Sequence, residues 1–189
     1  GLMRDALLYK ITRPIITVLF KIIFRPKIEG LENIPKEGRL ILAGNHTSNF
    51  DCLLLISSLK RNVHFLAKQE LWKGPKKIIF ANMGLIPVDR KNKSHNSLVL
   101  AKKYLESELV VGIFPEGTTE KEGHMLDFKM GAVKLAYDTN TLIVPFVITG
   151  RYKLIKTSLK IKFLKPESVG KELEKENKKL YNIIKLERG

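Results

Sequence analysis

Four short segments carry side chains able to do chemistry. The first is Asn45-His46-Thr47-Ser48-Asn49-Phe50-Asp51. A histidine beside a carboxylate is the base-plus-orienter pair of acyl transfer: one ring nitrogen donates to the acid and the other accepts a proton. Five residues apart on one regular helix, His46 and Asp51 would lie on different faces. A turn from a strand into a helix removes that obstacle and can fold the carboxylate back toward the imidazole. The plain alternative is a loop histidine and a helix-start acid favoured by the dipole.

The second segment, Gly84-Leu85-Ile86-Pro87-Val88-Asp89-Arg90, ends an extended run in arginine, a rigid and permanently charged fork for a phosphate. Its bland counterpart is a surface arginine paired with Asp89. In the third, Phe114-Pro115-Glu116-Gly117-Thr118-Thr119-Glu120, a strand stops at proline. Glu116 could then accept from substrate hydroxyls, Gly117 admits close backbone approach, and Thr118 could donate. Alone, such a stretch is a turn. The fourth runs from Val144 through Pro145 to Gly150. Proline in an apolar strand cannot donate to the ladder, so an edge or an irregularity beside a pocket is expected there.

Together and in this order, the four segments resemble the glycerolipid acyltransferase family, and within it the bacterial 1-acylglycerol-3-phosphate acyltransferases. The family's blocks are a His-x4-Asp motif, a Gly-x-Ile-x3-Arg-like motif, Phe-Pro-Glu-Gly-(Thr/Ser), and a hydrophobic segment with Val-Pro; all four stand between Asn45 and Gly150. The resemblance implies His46 as catalytic base and Asp51 as its orienting partner. It implies glycerol phosphate binding by Arg90, Glu116, Gly117 and Thr118, and an acyl-donor side shaped by Pro145. Lys68 and Lys129 are further basic candidates. Many relatives carry a basic or small polar residue after the third block. This chain has Thr119-Glu120 there, which leaves Lys121 or Lys129 to supply that charge. The implied reaction moves a fatty acyl group from an acyl thioester, on coenzyme A or acyl carrier protein, to lysophosphatidic acid, with neither metal nor cofactor. Glycerol-3-phosphate or another lysolipid stays open as acceptor.

The other chemistries are weaker. His64, His95 and His124 fall in unrelated contexts, so no zinc set is expected. Cys52 adjoins Asp51, but a small buried helix residue is the better reading. Lys and Arg number 34 against 19 Asp and Glu, a formal charge of +15, which calls for a polyanionic partner. Charge alone would fit a basic binding module equally well. It does not explain a histidine and an acid accompanied by three phosphate- or pocket-type segments. No basic patch interleaves with aromatics as in a single-strand binder, so no nucleic acid is expected.

These side chains must be positioned by a scaffold. The 189 residues and 44% hydrophobic content suit one globular domain with a sizeable core. Apolar runs at 39–43, 62–67, 85–88, 109–114 and 142–148 read as strands. They alternate with helical patterns at 50–58, 76–82, 98–105 and 131–138, and a charged helix closes the chain at 171–186. The expected fold is therefore α/β, a largely parallel or mixed sheet covered by helices, with ligands outside the carboxyl ends of the strands. Leu159, Ile161 and Phe163 alternate with lysines like a half-exposed edge strand.

Residues 1–27 are expected to be a helical membrane-interface segment ahead of an acyltransferase domain at 28–189. Between Ala6 and Phe24 the sequence is apolar but broken by Lys10, Arg13, Pro14 and Lys21. That pattern suggests two short helices meeting at Pro14, lying in the interface rather than spanning it. Insertion would fall to Leu7, Leu8, Ile15, Ile16, Val18, Leu19, Phe20, Ile22, Ile23 and Phe24. Lys10, Arg13, Lys21, Arg25 and Lys27 would meet anionic headgroups. The alternative is a helix packed on the domain's own core. Residues 28–38 read as a connector and the strands begin only near Arg39, so the core is expected to survive without the segment. A peripheral or monotopic protein on the cytoplasmic face of the inner membrane is expected.

Overall fold

The computed structural model describes residues 2–68, 86–88, 95–154 and 158–189. Seven strands form one sheet: β1 (Lys27–Glu29), β2 (Leu40–Gly44), β3 (Val63–Lys68), β4 (Ile86–Val88), β5 (Val110–Ile113), β6 (Ile143–Thr149) and β7 (Lys160–Phe163). Their order is β1-β7-β6-β2-β5-β3-β4, parallel at every pairing except β6 with β7. The described helices are α1 (Leu2–Phe24), α2 (Asp51–Ser58), α3 (His95–Glu106), α4 (Gly131–Thr139) and α5 (Leu173–Arg188). The helix expected at 76–82 lies outside the described residues.

The central strands β2, β5 and β6 are almost wholly apolar because both faces of the sheet are covered. On β2, Leu40 and Leu42 join Phe146 and Ile148 of β6 in a core closed by Phe20 of α1 and Leu54, Leu55 and Ile56 of α2. Ile41 and Ala43 point the other way, toward Ala101 and Leu105 of α3, Ala132 and Leu135 of α4, and Leu180 and Ile184 of α5. One-residue alternation along a strand thus feeds two cores. Strands β2 to β6 share a direction, so the segments after Gly44, Ile113 and Thr149 leave from one edge.

Four expectations change. Residues 2–24 form one α-helix with Pro14 inside it, not two helices. Proline there removes one amide donor, and the remaining ladder carries the helix through. The helix stops at Arg25, which takes a left-handed φ of 44°, and Pro26 cannot continue it. Second, the core is not independent of this helix. Phe20 is only 4% exposed, Ile16 and Phe24 pack on the same cluster, and Arg13 Nη1 donates to Leu59 O at 2.7 Å. Third, residues 28–38 are more than a connector. β1 straddles the expected boundary at 28 and pairs with β7, so Leu159 to Phe163 is second from the edge.

Fourth, Pro145 is not on an edge: β6 lies between β7 and β2, with Pro145 opposite Ala43. The expected irregularity is present. Leu164 N donates to Pro145 O at 2.8 Å, but proline has no N–H to return, and β7 ends at Phe163. Pairing resumes where Ile143 and Glu167 exchange both backbone bonds. Two steps along β6 are thereby matched by three along its neighbour, which is a bulge.

Gly30 shows how tightly β1 is seated. Its φ is +79°, and a Cβ there would lie 1.9 Å from Phe163 O. Gly123 has a similar φ of +75°, but a Cβ on it would meet nothing within 4 Å. Gly123→Ala should therefore lose only the left-handed penalty, about 1–2 kcal/mol. Gly30→Ala should lose on the order of 3 kcal/mol or more, because backbone must also move. Urea unfolding of the two variants measures the difference.

Candidate active site

Asp51 opens α2 and is fully buried. The turn before it folds its carboxylate back on the preceding residues. His46 Nδ1 lies 2.8 Å from Oδ2, which also accepts from Thr47 N at 2.5 Å and Ser48 N at 2.9 Å. The other oxygen, Oδ1, accepts from Thr47 Oγ1 at 2.9 Å and from Tyr152 OH at 2.5 Å. A carboxylate surrounded by donors accepts from the imidazole too, so the proton between them sits on Nδ1. Nε2 is then the nitrogen able to take a proton from a bound group. The imidazole is stacked on Phe114, centroids 4.0 Å apart and planes at 17°. Phe65 and Phe146 support that ring in turn, at 5.7 and 5.8 Å.

Two flanking side chains fix the turn. Asn45 is fully buried, and its amide donates to Ile148 O at 2.8 Å while accepting from Ile148 N at 2.7 Å. That pair of bonds ties the end of β2 to β6. Glu116, 3% exposed, follows β5. Its Oε1 accepts from His46 N at 2.8 Å and its Oε2 from Leu126 N at 2.8 Å. His46 O accepts from Glu120 N at 2.7 Å, so the 116–120 loop grips both polar groups of the histidine backbone. Burial pushes the Glu116 carboxyl above its ordinary value, and the two backbone donors offset this only in part.

The sheet edge therefore gathers His46, Asp51 and the Glu116-Gly117-Thr118 stretch. Gly117 turns with φ +75°, and a Cβ on it would lie 2.8 Å from Lys129 Nζ, so the lysine ammonium sits over this loop. Lys121 is exposed beside His124 in the same loop. Glu120 pairs with Arg188 of α5 at 3.1 Å. Lys68 and Val88 end β3 and β4 at the same edge, paired with each other. Arg90 lies outside the described residues. Pro145 is buried within β6, one residue before Phe146. Cys52 is partly buried, and desolvation followed by the Asp51 charge pushes its thiol up to about 12, which suits a packing residue rather than a nucleophile.

Sequence reasoning missed Tyr152, whose hydroxyl reaches Asp51 from 101 positions away. Its only signal was an isolated tyrosine after the last parallel strand. Asn45 was visible as part of the first segment, but its tie to Ile148 was not.

The acyltransferase family's sequence pattern matches residues 25–149, more than half of the chain. The chain belongs to the acyltransferase family. A 1-acyl-sn-glycerol-3-phosphate acyltransferase of Borreliella burgdorferi is 36% identical over 124 residues, which are 64% of this chain and 50% of that protein. One from Bacillus subtilis is 29% identical over 148 residues, 76% of this chain and 72% of that protein. This acyltransferase chain spans about half the length of several curated relatives it matches. The crystal structure of the 1-acyl-sn-glycerophosphate acyltransferase PlsC from Thermotoga maritima shares the fold, with a TM-score of 0.76 over 98% of this chain and 84% of that one, at 22% identity.

Replacing Glu116 by glutamine sets an amide N–H₂ against one of the two backbone donors. Glu116→Gln should cost about 1–3 kcal/mol at neutral pH, read by thermal or chemical unfolding. The folded state holds the Glu116 proton to higher pH than the unfolded state does. Its contribution therefore falls as pH rises from 4.5 through the raised value, and the gap between wild type and variant should narrow across that window.

Proposed function

We propose that this chain transfers a fatty acyl group from an acyl thioester to the free hydroxyl of lysophosphatidic acid, giving phosphatidic acid. The observation that carries this is the His46–Asp51 pair, 2.8 Å apart at the carboxyl ends of the parallel strands β2, β5 and β6. The names of the Borreliella and Bacillus relatives support the acceptor. Nε2 of His46 takes the hydroxyl proton as that oxygen attacks the thioester carbonyl. Asp51 stabilises the imidazolium that forms. The tetrahedral adduct collapses with loss of thiolate, and the imidazolium returns the proton to the leaving sulfur. No covalent enzyme intermediate is required. Coenzyme A and acyl carrier protein are both suitable carriers of the thioester.

The phosphate of the acceptor is assigned to Arg90, Lys68 and Lys129, with Gly117 and Thr118 from the loop after β5. Glu116 contributes by holding His46, and each of its oxygens, accepting one backbone amide, keeps a lone pair for a substrate hydroxyl. Pro145 acts through Phe146, which backs the Phe114 ring.

His46→Ala should lower kcat by about 10²–10⁴-fold in transfer from acyl-CoA to lysophosphatidic acid, in a variant that still folds but with a lower unfolding midpoint, because Asp51 loses a donor. Near-normal turnover in the folded variant would remove the general-base mechanism.

We further propose that residues 1–27 dock the domain on an anionic membrane, at the cytoplasmic face of the inner membrane. No helix among the described residues is long and apolar enough to cross one. Leu7, Ile11, Ile15, Val18 and Ile22 recur every three or four residues on α1 and are each more than half exposed. Exposed Lys10, Lys21, Arg25 and Lys27 accompany them. Arg13, Ile16, Phe20 and Phe24 are taken by the protein itself, so the inserting set is narrower than the sequence suggests. Deleting the helix would uncover the core, and surface substitution is the cleaner test. A triple variant, Ile15→Ser with Val18→Ser and Ile22→Ser, should bind phosphatidylglycerol vesicles at least roughly tenfold more weakly. Unchanged sedimentation with vesicles would exclude this face.

A further inference from the structure

We propose that Tyr152 is a positioning residue for the His46–Asp51 pair, and that α1 sets its position by packing Phe20 and Phe24 against its ring. This rests on the acyl-transfer function proposed above. Tyr152 lies between β6, which ends at Thr149, and β7, which begins at Lys160. It is outside the sheet ladder, so side-chain packing must hold it.

That packing is aromatic on three sides. Phe24 meets the ring edge-on at 5.6 Å and 86°, Phe20 at 6.2 Å and 73°, and Phe50 lies 5.6 Å away at 41°. Phe24 also touches Phe20 at 4.9 Å and Phe50 at 5.8 Å, closing the cluster. Two of these rings belong to α1, and Phe50 immediately precedes Asp51. The hydroxyl end of Tyr152 emerges from this cage onto Asp51 Oδ1 at 2.5 Å. Burial, then the Asp51 charge, raises the phenol well above its ordinary value, so the group stays a donor.

The carboxylate has one torsion that matters, rotation about its bond to Cβ. Oδ2 must face Nδ1 for the imidazole to keep its tautomer. Bonds to Oδ1 resist that rotation, and among the described residues only Tyr152 and Thr47 supply them. Thr47 moves with the turn that Asp51 itself organises. Tyr152 is anchored elsewhere, on the helix whose outer face is assigned to the membrane. The inner face of α1 thereby belongs to the machinery that sets turnover.

The test is kcat and KM for both substrates in detergent micelles, where docking on a bilayer does not enter. Tyr152→Phe removes one oxygen and keeps the ring. It should lower kcat roughly tenfold with both KM values unchanged, and lower the unfolding midpoint only modestly, since Asp51 keeps its other donors. Phe24→Leu should lower kcat in the same sense, and should add no further loss in the Tyr152→Phe background, because it acts through the hydroxyl. Wild-type kcat in Tyr152→Phe overturns the proposal. Multiplying losses in the double variant overturn the role of α1. His46→Ala in the same assay reports on the acyl-transfer function separately. Long-range ¹H–¹⁵N spectra of the imidazole give a readout that needs no turnover. His46 should be the single Nδ1-protonated tautomer in the wild type and a mixture in Tyr152→Phe, and identical spectra overturn the proposal whatever the substrate.

Discussion

A carboxylate withdrawn from water must have its lone pairs occupied, or it costs several kcal/mol of stability. Asp51 is fully buried, and much of the molecule near the site follows from meeting that demand. Its own turn supplies the amides of Thr47 and Ser48 and the Thr47 hydroxyl. These are local, and would form in almost any strand-to-helix turn of this shape. The remaining donors, the His46 imidazole and the Tyr152 hydroxyl, come from different strand ends. They meet only because β6 lies directly beside β2 and in parallel, so that both exits open on one edge. The buried Asn45 amide, bonded to both backbone groups of Ile148, holds that adjacency in place. The sheet order is thus the means by which a single acid is satisfied.

Glu116 shows that a second buried acid at the same edge can do the opposite work. Asp51 is met by five donors, one of them the Tyr152 hydroxyl from 101 positions away, whereas Glu116 is met by two backbone amides. Two amides do not fully replace water, which is why the Glu116 carboxyl is held above its usual value. What the molecule gains is geometry. Glu116 spans from the histidine turn to Leu126, and Glu120 closes the loop on His46 O. Arg188 of α5 then binds Glu120 and donates to Gly123 O at 2.5 Å. Glu120 serves here to hold the loop from the far end of the chain.

The architecture was legible wherever periodicity was long enough to speak. The runs that became β2, β5 and β6 were almost wholly apolar, and α3 and α4 carried helical spacing, so an α/β sheet followed from pattern alone. β1 was not legible because three residues cannot show a period, and its absence made β7 look like an edge. Pro14 does not divide α1: a proline removes one bond from a ladder of many, and packing on α2 holds the rest. At the site, His46 and Asp51 could be paired from spacing because the bond is local. Tyr152 could not, since a contact across 101 positions leaves no mark in the spacing of either partner. The buried ends of Glu116 were invisible for the same reason: sequence shows an acid after a strand, not which amides surround it.

Docking on lipid, as proposed above, would set the N-terminal helix between two solvents and account for its composition. A helix that only covered a core would carry polar residues on its outer face. One that crossed a bilayer would not keep Lys10, Arg13 and Lys21 within 23 residues. α1 instead buries Phe20 and leans Ile16 and Phe24 on the domain, while leaving Ile11, Ile15 and Ile22 each more than half exposed on the opposite side. Its cations divide in the same way. The Arg13 guanidinium turns inward to the Leu59 carbonyl that ends α2, and Lys10 and Lys21 remain in solvent. Apolar surface of this extent is costly in water unless something covers it. The substrate class proposed for the site lives in a surface that would. The inner face of the same helix reaches Asp51 through one tyrosine, so the element proposed to meet lipid and the pair proposed to do the chemistry are separated by a single ring.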